Sequence, residues 1–88
     1  MNIEIRVSLK KLTIGDLVSI SRGDVDAVIR VGAACMIDPS TGDYYQKEDQ
    51  PKLQEFLRNE IPLDQFDALS IELSEKISEA RKATIPPG

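Results

Sequence analysis

Alternating polar and apolar residues open the chain. Over residues 2–9, apolar side chains occupy every second position and polar side chains lie between them. The apolar side chains are those of Ile3, Ile5, Val7 and Leu9. A period of two with β-branched residues is typical of a half-buried strand. The pattern therefore predicts an N-terminal β-strand that ends at the two lysines of positions 10 and 11.

A helix start follows this strand. Thr13 suits an N-cap, and Asp16, three residues further on, can return a hydrogen bond to the backbone of the cap. We expect a first helix over residues 14–21, ended by Gly23, because glycine suits the left-handed conformation after a helix. The side chains expected to face inward are those of Ile14, Leu17, Val18 and Ile20.

The next segment is apolar almost all round. Asp24 suits the N-cap of a second helix over residues 25–37, and a helix that is apolar on every side is a central, buried one. Gly32 and the small residues after it leave room for another helix to approach closely. A buried strand over residues 27–37 is the alternative, because short apolar runs do not distinguish the two structures.

Two further helices are predicted after a turn-rich stretch over residues 38–45. Tyr44 and Tyr45 either pack on the core or form a very short extended segment. A third helix begins near Pro51, which is tolerated in a first turn. Its inward residues are Leu53, Phe56 and Leu57. The last helix covers residues 63–83, with apolar positions three to four residues apart at Leu63, Phe66, Leu69, Leu73, Ile77 and Ala80.

These elements predict a mainly α fold, a small bundle of three to four helices with a short N-terminal β-strand, and α+β as the alternative. We expect one domain over residues 1–83 and a flexible tail over residues 84–88. A single strand leaves its backbone groups unpaired. It must therefore pair with residues 44–45, with a second copy of the chain, or with a partner protein.

Composition narrows the functions that this fold can serve. The 88 residues carry a net charge of −4 and include no histidine and one cysteine. An acidic chain lacks the basic face that nucleic acid requires, and no apolar run is long enough to cross a membrane. Catalytic triads and zinc sites usually recruit histidine. We therefore expect no enzyme activity, no cofactor, no nucleic acid and no membrane partner.

Several residues resemble parts of chemical sites, but each has a simpler structural explanation. Cys35, in an apolar helix, is expected to be an inert core thiol, because reactive thiols need an exposed, electropositive setting. The pairs Asp24/Asp26 and Asp64/Asp67 suit helix starts. The loop over residues 38–49 departs from a calcium loop at its glycine and at its last position. A DNA-binding helical hairpin is disfavoured, because Arg30 is the one base in the second helix.

The N-terminal strand is the candidate partner-binding segment. An open strand edge can receive an extended peptide by β-augmentation. The residues expected to contact a partner are Ile3, Ile5, Arg6, Val7, Leu9 and Lys10. In the alternative interpretation, the apolar side of this strand covers the helices of the same domain.

The sequence also resembles one protein family, the small tail assembly chaperones of tailed bacteriophages. Those proteins place an LTLGDL-like helix start before a GDVDAL-like second helix and an apolar run that ends in a turn. Here LTIGDL, GDVDAV and IDPSTG stand in those places. IPLDQFDALSIELSEKI is similar to the LPLSELEAL-like last helix of the family. The resemblance extends from about Ile3 to Ile77.

The resemblance implies a non-enzymatic protein that binds the tape-measure protein, a long helical and aggregation-prone chain. Such chaperones keep this client soluble in the host cytoplasm until the tail tube polymerises around it. We also expect a homo-oligomer. Two alternatives remain open: a small structural component of a phage tail or head–tail connector, and an adaptor protein that dimerises through its N-terminal strand.

Overall fold

The structure, a computed structural model, describes residues 3–84. It is mainly α, with 69% helix and a short two-stranded antiparallel sheet, which confirms the predicted fold class. The α-helices within residues 3–84 are α1 (Ile14–Ser21), α2 (Val25–Cys35), α3 (Gln50–Asn59) and α4 (Leu63–Thr84). The strands are β1 (Ile37–Asp38) and β2 (Asp43–Tyr44). The predicted tail lies outside the described residues from position 85, and residue 84 belongs to α4.

The predicted capping box begins α1. The Asp16 amide donates to Thr13 Oγ1 at 3.2 Å, and the Thr13 amide donates to Asp16 Oδ2 at 3.0 Å. The inward face of α1 was predicted only in part. Ile14 is 80% exposed and Val18 is also exposed, because this two-turn helix rests with one side on the rest of the fold. The apolar residues of α1 that pack against the core are Leu17 and Ile20.

Helix α2 forms the centre of the fold, as its all-round apolar pattern predicts. Both the strand alternative and the predicted end at residue 37 are wrong, because the helix stops at Cys35 and the chain becomes extended at Met36. The amide of Ile37 then donates to the carbonyl of Glu4 at 2.9 Å. Leaving the helix thus provides a backbone partner for the N-terminal segment.

The N-terminal strand is much shorter than predicted. A single antiparallel bridge joins Ile5 to Met36, and Leu9–Lys11 form a turn of 3₁₀-helix. The bridge is flanked by a hydrogen bond of 2.8 Å from the Arg6 amide to the carbonyl of Cys35. The segment therefore pairs with the residues at the end of α2 and directly after it. The pairing with residues 44–45, which one alternative expected, is not formed.

The loop after α2 folds into a small hairpin. β1 pairs with β2 in the register Ile37 to Tyr44 and Asp38 to Asp43. Gly42 has a φ of 74°, a left-handed conformation that glycine adopts without strain. Tyr44 thus lies in the short extended segment, one of the two outcomes expected for it.

Helices α3 and α4 complete the core. Pro51 lies in the first turn of α3, as predicted, and Leu57 is buried. Four of the six predicted inward residues of α4 are buried: Phe66, Leu69, Leu73 and Ile77. Ala80 is half-buried. Leu63 departs from the prediction with 74% exposure, because it begins the helix at the edge of the core.

Helix α1 contributes the buried Asp16 and apolar side chains that are partly buried. The buried apolar residues of the helices come from α2, α3 and α4. They form one aliphatic core around α2 and α4, with Ile29, Val31, Cys35 and Leu73 almost fully enclosed. Within residues 3–84, no helix combines the length and the apolar character needed to cross a membrane.

Candidate protein-binding surfaces

An apolar groove opens where three helices meet. Its volume is about 300 Å³. The lining residues come from the start of α2, the end of α3, the α3–α4 connection and the start of α4; they are Val25, Ile29, Leu57, Arg58, Ile61, Leu63, Phe66 and Asp67. We call this surface the apolar groove.

The apolar groove has a buried floor and exposed walls. Ile29 and Leu57 are each 2% exposed and belong to the core. Val25 and Leu63 are 56% and 74% exposed. Large aliphatic side chains held open to water around an apolar floor are typical of a surface that binds another protein.

Close helix packing at Gly32 shapes this region. A Cβ atom added there would lie 3.6 Å from Leu57 Cδ1 and 3.8 Å from Leu69 Cδ2. Side chains from α3 and α4 thus meet α2 over its glycine, as the small-residue stretch predicted. The three helices that form the groove are therefore also in contact with one another at Gly32.

The charges beside the apolar groove are unbalanced. Arg58 Nη2 on its wall forms an ion pair with Asp26 Oδ1 at 2.9 Å, which joins the end of α3 to the start of α2. Asp67 of α4 also lines the groove and forms no ion pair within residues 3–84. The wall formed by α4 therefore carries an uncompensated negative charge.

A second groove lies beside the N-terminal segment. It has a volume of about 510 Å³ and is lined by residues 4–7 together with Lys76, Glu79 and Ala80 of α4. We call this surface the edge groove. Its walls alternate in charge and in polarity, so it is a less uniform surface than the apolar groove.

The structure separates the predicted partner-binding residues into two groups. Ile5 is 4% exposed in the core, and Ile3 and Val7 pack partly buried against that core. Leu9 is half-buried, whereas Arg6 and Lys10 are exposed. The apolar side of the segment thus contacts the chain's own helices, and Arg6 and Lys10 are the members of the set that a partner can reach most directly.

The ring of Tyr44 lies next to two cationic side chains of the N-terminal segment, at the basic end of the molecule. Lys11 Nζ lies 4.2 Å from the centre of its ring, and the Arg6 guanidinium lies 6.0 Å away. The Tyr44 hydroxyl donates to the carbonyl of Arg6 at 2.7 Å. Burial is the main cause that raises the pKa of Tyr44. The ring is therefore neutral at ordinary pH and fixes a small basic cluster.

The sequence did not reveal an ion pair between α1 and α2. Arg30 Nη1 lies 2.6 Å from Asp16 Oδ1, and the Asp16 side chain is 8% exposed. Burial raises the pKa of Asp16, but hydrogen bonds from Arg30 and Thr13 and the charge of Arg30 outweigh it. The pKa of Asp16 consequently lies below its usual value. The sequence indicates that Asp16 belongs to a helix cap and that Arg30 is the one basic residue of α2. It does not indicate that the two side chains form an ion pair.

Other groups considered for chemistry have structural roles. Cys35 is fully buried, and desolvation raises the pKa of its thiol, so it is not a thiolate at neutral pH. Asp24 Oδ1 caps α2 by accepting from the amides of Asp26 and Ala27. Asp38 accepts two hydrogen bonds from Ser40, which lower its pKa. Within residues 3–84, no three potential metal ligands lie together.

The exposed walls of the apolar groove were missed by sequence reasoning. Leu63 follows the apolar period of α4 and was expected in the core, and Val25 follows that of α2. Comparison with protein families, with curated proteins and with solved structures finds no match for this chain.

Proposed function

We propose that this chain is a non-enzymatic binding protein, a tail assembly chaperone that holds the tape-measure protein of a tailed phage in the host cytoplasm. The apolar groove is the observation that carries the proposal. It offers exposed aliphatic walls at Val25 and Leu63 over a packed floor. A helical, aggregation-prone client has a complementary surface, because an amphipathic helix exposes an apolar stripe that can pack into this groove.

The groove suits the side chains of a docked helix. Its volume of about 300 Å³ is large enough for a few side chains. It is too small for a whole helix, which is about 10 Å across. An amphipathic helix lying over the groove would insert residues spaced three or four apart. Each square ångström of apolar surface removed from water contributes roughly 25 cal/mol. Burial of Leu63 and Val25 therefore supplies a driving force for binding.

The surface charge is consistent with a solubilising role. The net charge of −4 is concentrated in residues 43–88, which carry ten acidic and six basic side chains. Net charge of one sign opposes association between copies of a complex. A client covered by this chain would thus present an acidic, repulsive exterior.

Co-expression with a tape-measure protein from the same genome neighbourhood tests the proposal. We expect the client to be insoluble alone and soluble with the wild-type chain. Leu63→Gln should reduce the soluble client severalfold, because it removes an exposed wall of the groove. Ile71→Gln is the matched control, since Ile71 is 61% exposed on the same helix but does not line the groove. Equal client solubility with both variants would contradict the assignment of the groove.

The basic end of the molecule is proposed as a second contact area for the client. Arg6 and Lys10 are exposed there, and neither forms an ion pair within residues 3–84. Lys10→Glu should weaken client binding most at low salt, where charges are least screened. Lys52→Glu, an equal charge change on exposed α3, is the control. Unchanged binding of the Lys10 variant in a pull-down at low salt would show that the N-terminal residues are not part of the client-binding surface.

A further inference from the structure

The exposed aliphatic residues of this chain fall into two complementary surfaces. Ile14 and Val18, four residues apart on α1, are 80% and 41% exposed. Arg22 is exposed and follows Val18 by four more residues, and its amide still bonds to the Val18 carbonyl. These three residues form one outward stripe, which we call the α1 stripe, because positions four apart share a helix face.

The apolar groove mirrors the α1 stripe in polarity and charge. Its exposed walls are the aliphatic side chains of Val25 and Leu63, and its α4 wall ends in Asp67, four residues after Leu63. Arg22 and Asp67 each form no ion pair within residues 3–84. Each surface thus supplies what the other lacks, an apolar contact next to the opposite charge.

We infer that the α1 stripe of one copy docks in the apolar groove of a second copy. In this contact Ile14 and Val18 lie against Val25 and Leu63, and Arg22 approaches Asp67. Two different surfaces meet, so the contact is heterologous and can be repeated head to tail. The client helix and the second copy occupy the same groove, so each excludes the other.

A second copy fits better than an unrelated partner, because the same chain carries both halves of the contact. Removal of these four aliphatic side chains from water drives the association. The pairing of Arg22 with Asp67 sets the orientation and disfavours other alignments, which is the main effect of charges at interfaces. The net charge of −4 on each copy opposes the association.

The test is the mass of the chain alone, by light scattering or sedimentation over a range of concentrations. The wild-type mass should rise above the 9.8 kDa of one chain as concentration increases. Ile14→Gln and Leu63→Gln should each weaken association about tenfold or more, because each removes one buried aliphatic side chain. Ile71→Gln should behave as wild type. A wild-type chain that stays monomeric at every concentration overturns the inference.

Mixing the two variants identifies the head-to-tail contact. The Ile14 variant retains its groove and the Leu63 variant retains its α1 stripe, so the mixture should form pairs that neither variant forms alone. Because each pair has one defective surface at either end, it should not grow further. Failure of the mixture to associate would overturn the contact, even if both variants are monomeric and folded by circular dichroism.

A charge exchange gives a second, independent measurement. Arg22→Glu and Asp67→Lys should each weaken association of the variant with itself, because like charges then face each other. A mixture of the two single variants should recover association, because the α1 stripe of each variant then meets a groove of opposite charge in the other. Recovery in the doubly exchanged chain supports the pairing, and no recovery overturns it. These experiments use no client, so they can fail while client solubility still supports the proposed function.

Discussion

The carboxylate of Asp16 serves two elements at once. One oxygen accepts the amide of Thr13 and closes the capping box, and the other accepts the guanidinium of Arg30 on α2. The first interaction is local and follows from the sequence motif. The second joins α1 to α2 at the centre of the fold. It depends on how the two helices pack, so the sequence motif alone does not predict it. A single residue therefore fixes both the start of α1 and its position.

Replacing Asp16 with Asn separates these two roles. An asparagine oxygen can still accept the Thr13 amide, but the charge that pairs with Arg30 is lost. We expect Asp16→Asn to lower the free energy of unfolding by about 1–2 kcal/mol. Asp26→Asn, which removes an acid from the exposed pair with Arg58, should have a much smaller effect. Equal effects in urea unfolding would show that the Asp16 pair is no stronger than the exposed one.

The same pair predicts a pH dependence. The pKa of Asp16 is lower in the folded chain than in the unfolded one. Its ionised form therefore contributes stability above about pH 4, the usual pKa of an aspartate, and this contribution is lost as the pH falls below that value. The stability difference between wild type and Asp16→Asn, measured by urea unfolding, should shrink from about pH 6 to about pH 3. A constant difference would contradict the assignment.

Helix α2 organises the other elements. Its all-round apolar sequence predicted a central helix, and the structure confirms that position. The sequence did not predict where the helix ends, because the step from helix to strand at Met36 depends on a pairing with Ile5, thirty-one positions earlier. Local patterns identify the caps of α1 and α2, which involve neighbouring residues. They do not identify bridges between segments that are distant in the sequence.

Gly32 gives a prediction for the packing of α2. An added Cβ would make ordinary van der Waals contact with Leu57 and Leu69, at 3.6 and 3.8 Å. Alanine also costs less backbone entropy than glycine in a helix interior. We expect Gly32→Ala to raise the free energy of unfolding by about 0.5–1 kcal/mol.

Gly23→Ala provides the contrast for this prediction. Gly23 has a φ of 75°, a conformation that an alanine adopts only with strain, although nothing lies within 4 Å of its missing side chain. This variant should therefore be less stable than the wild type in thermal or urea unfolding. A destabilised Gly32 variant would show that α3 and α4 press on α2 more tightly than these distances indicate.

At the scale of the whole molecule, the exposed aliphatic side chains form surfaces that no single helix reveals. Leu63 follows the apolar period of its helix and was expected in the core, and Val25 begins a helix that was expected to be buried. They line the apolar groove because three helix ends meet without a further element to cover them. The groove is therefore a property of the packing, and the family resemblance gives it a proposed client.

The central claim is that this chain covers a client that is insoluble without it. The measurement that tests it most directly is the light-scattering mass of the purified chain, alone and co-expressed with the tape-measure protein that we propose as its client. We predict reversible association of the free chain and a discrete, soluble complex of fixed stoichiometry with the client. A stable ring or tube that forms in the same way with or without the client would contradict the proposed chaperone function and favour the alternative, a structural component of a phage tail or head–tail connector.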